Sequence, residues 1–413
     1  MTLPVTVAPG GTASIGVTFT PTATGARSGS LSVTHNAAGS PSAVSLAGTA
    51  TAAALKRLST SGNRIVDSTG ATVKLRGVNW NGAEGSTFLP LGLWQTDYKA
   101  MINLIKSWGM NCIRMPMSCA LNSTSVNSGG LVTYLINTDL AGLTALQIMD
   151  KIIDYAGSQG IWVFLDCHRL TAGNGTDSAI ASGTLSTITA WWQTMATRYG
   201  GNPTVCGADI YNEPYTAAWS DLAGWYTSIG NAIHAIAPDW LILCEGGALP
   251  SGLTYGAWWG GALSGWAATP VTLTIPHKVV ASPHEYGVSV GLQAWLKSTG
   301  NMGVSGWPGN LDAVWAQNWS YLHTAGTVPV LVGEYGGELG FNTATGAADS
   351  SQVNATYEVE WFNHLLSYME SSGISSTFWT LTSESGDTGG LLHSDDATPQ
   401  AGKLALMSAM LAS

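Results

Sequence analysis

Thr204-Val205-Cys206-Gly207-Ala208-Asp209-Ile210-Tyr211-Asn212-Glu213-Pro214 is an apolar run that ends in an Asn-Glu pair and is stopped by a proline. A second run of the same design follows later, Val328-Pro329-Val330-Leu331-Val332-Gly333-Glu334-Tyr335-Gly336-Gly337. Short, nearly unbroken apolar runs read as strands buried on both faces, as in parallel sheets covered by helices. Each run leaves a glutamate where the strand gives out. In a closed barrel of parallel strands, that end is where reacting groups gather.

Working outward, strand-like and helix-like segments alternate from Leu55 onward. Strands are predicted at Val73 to Trp80, Cys112 to Met115, Trp162 to Asp166, Val205 to Tyr211, Leu241 to Glu245, Val279 to His284, Val330 to Glu334 and Ser376 to Thr380. Between them, apolar residues recur at helical spacing in Asp97 to Trp108, Thr144 to Ser158, Leu185 to Tyr199, Leu222 to Ile236, Leu311 to Ala325 and Tyr357 to Glu370. This alternation predicts an α/β chain folded as a (β/α)8 TIM barrel over residues 55–413, closed by a helix over Gly402 to Leu411. The Gly- and Trp-rich stretch from Glu245 to Val279 reads as an ordered loop bordering a cleft.

Residues 1–50 differ. Val5-Thr6-Val7, Ala13 to Phe19, Gly29 to Thr34 and Ala43 to Leu46 are short, alternating and rich in Val, Ser and Thr, with Gly and Pro between them. They predict four antiparallel strands, too few for a full immunoglobulin-type sandwich. The stretch resembles the latter half of a bacterial immunoglobulin-like module, through Val17-Thr18-Phe19-Thr20-Pro21 and Val44-Ser45-Leu46-Ala47-Gly48-Thr49. Residues 51–54 read as a linker. The abrupt start predicts a longer natural chain, and the exposed edge of half a sandwich predicts packing on the barrel or a strand contact to a neighbouring chain.

Composition narrows the function. Charged residues make up only 10% of the chain and the net charge is -10, which argues against a nucleic-acid partner, since that needs a basic face. A neutral polymer suits this surface better. Eighteen Trp are present, and indoles stack on the apolar faces of sugar rings as readily as they fill cores. No apolar run is long enough to span a bilayer, so no membrane partner is expected. Five Cys leave at least one unpaired within the chain. Cys112, Cys167, Cys206 and Cys244 fall in or beside strands and read as small buried apolar residues, with Cys112 and Cys119 the nearest pair in sequence. Without CxxC or HExxH spacing, neither a metal nor another cofactor is expected.

The predicted strand ends deliver, in order, Asn79-Trp80-Asn81, Arg114, Asp166-Cys167-His168-Arg169, Asn212-Glu213, Glu245, His284-Glu285-Tyr286, Glu334-Tyr335 and Trp379. Polar and aromatic groups thus converge on one rim. Two carboxylates facing one bond are the usual apparatus for cutting a glycosidic linkage. Gly77-Val78-Asn79-Trp80, Ile113-Arg114-Met115-Pro116, Tyr211-Asn212-Glu213-Pro214, His284-Glu285-Tyr286, Gly333-Glu334-Tyr335-Gly336 and Phe378-Trp379 stand in an order and spacing that resemble glycoside hydrolase family 5. Asn202-Pro203-Thr204-Val205, Tyr255 to Gly261 and Ser385 to Gly390 are similar to its actinobacterial-type endo-β-1,4-glucanases.

The resemblance implies Glu213 as general acid/base and Glu334 as the nucleophile of a retaining reaction, with Arg114 holding the nucleophile ionised. Chemistry agrees: the acid needs a raised pKa and the nucleophile a fixed cation beside it. Tyr286 is placed to donate to Glu334, and Asn212 to bind the sugar 2-hydroxyl. His168 and His284 are expected to line the site, and Trp379, Trp80 and Trp259 to offer stacking surfaces. Glu245, the rival carboxylate, is expected to hold a neighbouring Arg or His. Alternation points Glu285 away from the ring.

The leading expectation is a secreted, monomeric β-1,4-glucan hydrolase. Mannan and mixed-linkage glucan stay open as substrates, and a non-catalytic polysaccharide binder or an intracellular metabolic barrel stand as the other classes. A pure binder has no need of the carboxylate pair, and no phosphate-binding glycine pattern beyond the weak Gly389-Gly390 favours the metabolic reading.

Overall fold

The computed structural model describes residues 4–21, 25–50, 55–122 and 135–413. The chain divides into two compact units, Met1–Ala53 and Ala54–Ser413. In the first, β1 (Gly25–Val33) and β2 (Ser42–Ala50) pair antiparallel, with Gly25 opposite Ala50 and Val33 opposite Ser42. The other two expected strands, Val5 to Val7 and Ala13 to Phe19, are not paired into a sheet. Alternation there has no second strand to complete it, and Val7, Val17 and Phe19 are exposed. The expected linker, 51–54, lies outside the described residues, and Thr49 and Ala50 belong to β2.

The second unit opens with a hairpin, β3 (Leu58–Ser61) against β4 (Arg64–Asp67). Then come β5 (Arg76–Asn79), β6 (Cys112–Ser118), β7 (Trp162–Arg169), β8 (Val205–Asp209), β9 (Leu241–Cys244), β10 (Val279–Ala281), β11 (His284–Tyr286), β12 (Leu331–Gly336) and β13 (Ser375–Phe378). These nine strands form one sheet, ordered β10-β9-β8-β7-β6-β5-β13-β12-β11, with every pairing parallel. The Ala281–Val330 bridge joins its two ends into a ring. The sixth barrel strand is therefore split. Ser282 and Pro283 separate β10 from β11, as expected where proline removes a ladder donor.

The helices are α1 (Tyr98–Ser107), α2 (Ala145–Ser158), α3 (Leu185–Tyr199), α4 (Trp219–His234), α5 (Leu311–Trp315), α6 (Tyr321–Thr324), α7 (Ala355–Ser372) and α8 (Ala401–Leu411). Their starts follow local chemistry. Asp97 accepts from the Lys99 and Ala100 amides, and Thr144 forms a reciprocal cap with Gln147. One expected helix, Leu311 to Ala325, is continuous but widens to a π-helical turn at Ala316–Ser320 between α5 and α6. There Asn318 turns its amide onto the Val314 and Gly256 carbonyls, tying the helix to the long loop after β9.

Strand alternation sorts the core into layers. Ile113, Met115, Leu165 and Ile242 point outward against the helices. Cys112, Phe164, Cys206, Leu241, Leu243, Val280 and Leu331 point inward and pack with Leu58 and Ile65 of the hairpin. The hairpin thus plugs the N-terminal end of the ring with apolar side chains. One step further along β6, β7, β8 and β9 the inward residues are Arg114, Asp166, Asp209 and Glu245, all 0% exposed. Cys112 and Cys119 lie beyond opposite ends of this arrangement, about 20 Å apart at the rise of an extended strand, so the pair nearest in sequence cannot meet.

Close approach makes one glycine obligatory. A Cβ on Gly77 in β5 would come within 2.1 Å of the Cys112 carbonyl oxygen, whereas one on Gly224 in α4 meets nothing within 4 Å. Gly77→Ala is expected to destabilise by about 3 kcal/mol or more through backbone displacement. Gly224→Ala should stabilise by roughly 0.5–1 kcal/mol. Urea unfolding of both variants checks the opposite signs.

Candidate active site

Glu334 enters the ring because β12 slips register between Val332 and Tyr335. Leu331 and Glu334 both face inward although three residues apart, while Val332 and Tyr335 pack outward. Glu213 lies beyond the end of β8 with a φ of 44°, a left-handed conformation that costs a non-glycine residue about 1–2 kcal/mol. Its amide donates to Glu245 Oε2 at 2.7 Å, which holds that turn. A carboxylate oxygen of Glu213, one of Glu334 and a ring nitrogen of His284 all lie within 4.8 Å of one another.

Arg114 lies beneath them, fully buried, and every face of its guanidinium is used. Nε donates to Asp209 at 2.9 Å. Nη1 donates to Asn79 Oδ1 at 3.0 Å and to Glu334 Oε1 at 2.6 Å. Nη2 donates to Asn212 Oδ1 at 3.0 Å and to Glu245 Oε1 at 2.9 Å, with Asp166 at 3.2 Å. Asp166, Asp209 and Glu245 could by their spacing suit a cation, and the guanidinium they surround is that cation. The second oxygen of Glu334 accepts from the Tyr286 hydroxyl. Both Glu334 oxygens are thereby held by donors that favour the ionised form.

His284 Nδ1 is 3.0 Å from Glu213 Oε1 and 3.5 Å from Glu334 Oε2, and its Nε2 is 3.3 Å from Glu245, an ion-pair contact without hydrogen-bond alignment. Burial opposes its charge, but Glu245, Glu334 and Glu213 raise its pKa well above 6.5. His168 pairs Nδ1 with Asp166 at 2.7 Å and stacks on Trp379, ring centres 5.4 Å apart and 10° from parallel. Burial lowers its pKa, yet Asp166 and Glu334 bring it up to about 9.

The two glutamates are driven in opposite directions. Burial, and then the charges of Glu334 and Glu245, raise the Glu213 pKa above the ordinary 4.5 against the pull of His284. Burial also works against the charge of Glu334, but His284, Arg114, His168 and Tyr286 outweigh it and hold the pKa below 4.5. Burial, then Glu245, raises Asp209 well above the usual carboxylate range.

The structure brings Glu213, Glu334, Arg114, Asn212, His284, Tyr286, His168 and Trp379 together. Trp80 is elsewhere. It is 0% exposed, and its indole donates to the Leu91 carbonyl at 2.9 Å, so no sugar can reach it. Its position after Asn79 gives it the outward parity of the strand. Trp259 is 51% exposed and stacks on Tyr215, ring centres 4.1 Å apart. Glu285 turns outward to accept from Trp319, as alternation requires. Asp209 escaped the sequence reading, although an acid inside a buried strand signals an internal partner. Asn79, whose amide bonds the Gly333, Thr377 and Phe378 carbonyls, looked like an ordinary strand end.

The profile of the Cellulase family (glycosyl hydrolase family 5) matches residues 66–385. The chain belongs to glycosyl hydrolase family 5. It is therefore a glycoside hydrolase built on the family's barrel. An endoglucanase of Paenibacillus polymyxa is 39% identical over 82% of this chain and 83% of its own length. The major extracellular endoglucanase of Xanthomonas campestris pv. campestris is 33% identical over 83% of this chain and 69% of its own. Among solved structures, an endocellulase of Pyrococcus horikoshii in complex with cellotetraose superposes with a TM-score of 0.77 at 30% identity, covering 86% of this chain and 98% of that one.

Glu245 serves Arg114 with one oxygen and the Glu213 amide with the other, and a glutamine has only one acceptor oxygen. Glu245→Gln should leave one buried donor unpaired. The expected loss is about 1–3 kcal/mol of stability in urea unfolding, together with a fall in kcat. Wild-type stability and kcat in this variant would show that the contact has no such part.

Proposed function

We propose that this family 5 hydrolase is a retaining endo-β-1,4-glucanase, with Glu334 as nucleophile and Glu213 as general acid/base. The observation that carries the reading is the carboxylate pair, with one oxygen of each within 4.8 Å of the other and their pKa values pushed apart. Retaining pairs are typically separated by about 5–5.5 Å, and inverting pairs by about 6.5–9.5 Å to admit a water. The two relatives named endoglucanase support glucan as the polymer.

In the first step Glu334 attacks the anomeric carbon while Glu213 protonates the departing oxygen. Asn212, its Oδ1 pinned by Arg114, keeps its amide nitrogen for the sugar 2-hydroxyl, a contact that strengthens in the transition state. Forming the glycosyl ester removes the Glu334 charge. That charge is one of the terms raising the Glu213 pKa, so its loss favours the ionised Glu213 that must next take a proton from water. Trp379 forms an aromatic wall beside His168, and Trp259, buttressed by Tyr215, offers an exposed ring for a further sugar unit. The sparse charge of the sequence and the extracellular Xanthomonas relative support a secreted chain acting on a neutral polysaccharide.

Glu334→Gln should abolish turnover of carboxymethyl-cellulose, and Glu213→Gln should lower kcat by about 10²–10⁴ on glucans. NMR of the first product formed should show the β anomer. An α product would replace the double displacement with inversion, and activity on mannan alone in a panel of pure β-glycans would replace the substrate.

The pH profile follows from the two shifts. Activity needs Glu334 ionised, so it rises as pH climbs through a pKa below 4.5, and needs Glu213 protonated, so it falls through a pKa above 4.5. The expected kcat/KM profile is a bell with its limbs on either side of that value. A profile whose alkaline limb is unchanged in Glu213→Gln assigns the acid elsewhere.

A further inference from the structure

Cys119 and Cys167 are far apart in sequence, and their Sγ atoms lie 2.9 Å apart. That is inside the roughly 3.5–4.0 Å optimum for unbonded heavy atoms and within about 1 Å of a covalent S–S bond. The backbone already holds them side by side. Strands β6 and β7 run parallel, and the Cys119 amide donates to the Arg169 carbonyl at 2.7 Å. Both thiols are free, Cys167 buried and Cys119 half-buried, so a small oxidant has one sulfur it can reach. Cys112 and Cys206 belong to the apolar layer inside the ring.

We propose that Cys119 and Cys167 are a disulfide site, closed by a small-molecule disulfide in oxidising surroundings to staple β6 to β7 behind the catalytic rim. The Cys119 thiolate attacks one sulfur of the oxidant, such as oxidised glutathione, and expels a thiolate that takes up a proton. The Cys167 thiol then loses its proton and attacks Cys119 Sγ, expelling the second small thiol. Two protein thiols are oxidised by two electrons, and one small disulfide is reduced to two thiols. Burial and the neighbouring sulfur hold the Cys167 thiol well above its usual range, so this closing step quickens as pH rises.

The staple acts on the frame and leaves the chemistry alone. Asp166 and His168 face into the ring, whereas Cys167 between them packs in the outer apolar layer. Closing the bond pins the backbone that carries both without touching the sugar side. The 48-residue separation makes the closed loop long, which favours a sizeable entropic stabilisation.

The test uses the full chain, reduced or treated with oxidised glutathione, then unfolded and alkylated. Reduced protein should show all five thiols and oxidised protein three, with Cys119 and Cys167 joined in one peptide pair. The oxidised form should melt on the order of 5 °C higher, with glucan hydrolysis within about twofold of the reduced form. Cys119→Ser should keep the basal activity and lose both the thiol decrease and the melting rise. Five alkylated thiols after oxidation, a lasting glutathione adduct on Cys119, or linkage to any other cysteine would overturn the proposal. The peptide map reads the wild-type chain, so the outcome does not depend on the variant folding or on the polymer the enzyme cuts.

Discussion

A single buried guanidinium governs the upper half of the barrel. Arg114 is bonded on all its nitrogens, to Asp209, Asn79, Glu334, Asn212 and Glu245, with Asp166 in ion-pair reach. These six partners come from the ends of five different strands, with Asp209 and Asn212 both at the end of β8, so the side chain works as a hub that fixes their relative positions. Burying a cation is costly unless its donors are all used, and here none is idle. The apolar plug below excludes water from that side, so the field of Arg114 reaches Glu334 little screened. Lysine could carry the charge but not the planar fork that reaches so many acceptors at once.

The same layer explains why two chemically identical side chains behave differently. Both glutamates pay a desolvation penalty. Glu334 meets Arg114 and Tyr286 directly, whereas among the described residues Glu213 has His284 as its only side-chain partner, with two carboxylates nearby. His284 contacts both, and its charge depends on Glu245 below it. Glu213 and Glu334 are therefore parts of one titrating assembly, and a change at Glu245 or Asp166 is felt at both carboxylates.

Much of this was legible in the chain because burial and periodicity are local signals. The eight barrel strands and most helices stand where apolar spacing put them, and the rim residues follow from where each strand ends. Three things were not. Trp80 sits one residue past Asn79, and alternation puts it on the outer face, but its aromatic type at a rim position suggests a stacking surface instead. The slip in β12 that turns Glu334 inward depends on neighbouring strands that sequence does not show. Residues 4–21 alternate like strands, yet alternation supplies only half of a sheet, and without a partner edge it specifies none. The proximity of Cys119 to Cys167 depends on strand register in the same way, and no spacing rule could find it.

Pro283 has an effect beyond interrupting a ladder. Because the chain breaks there, β10 keeps its register with β9, while His284 and Tyr286 are aligned with Glu334 and Gly336 on β12. Glu213 and its anchor Glu245 follow β8 and β9. The rim is thus assembled from two separately indexed jaws, one bearing Glu213 and the other Glu334 with Tyr286. His284 bridges the two, with Nδ1 3.0 Å from Glu213 and 3.5 Å from Glu334, so their alignment rests on one ring whose position Pro283 sets.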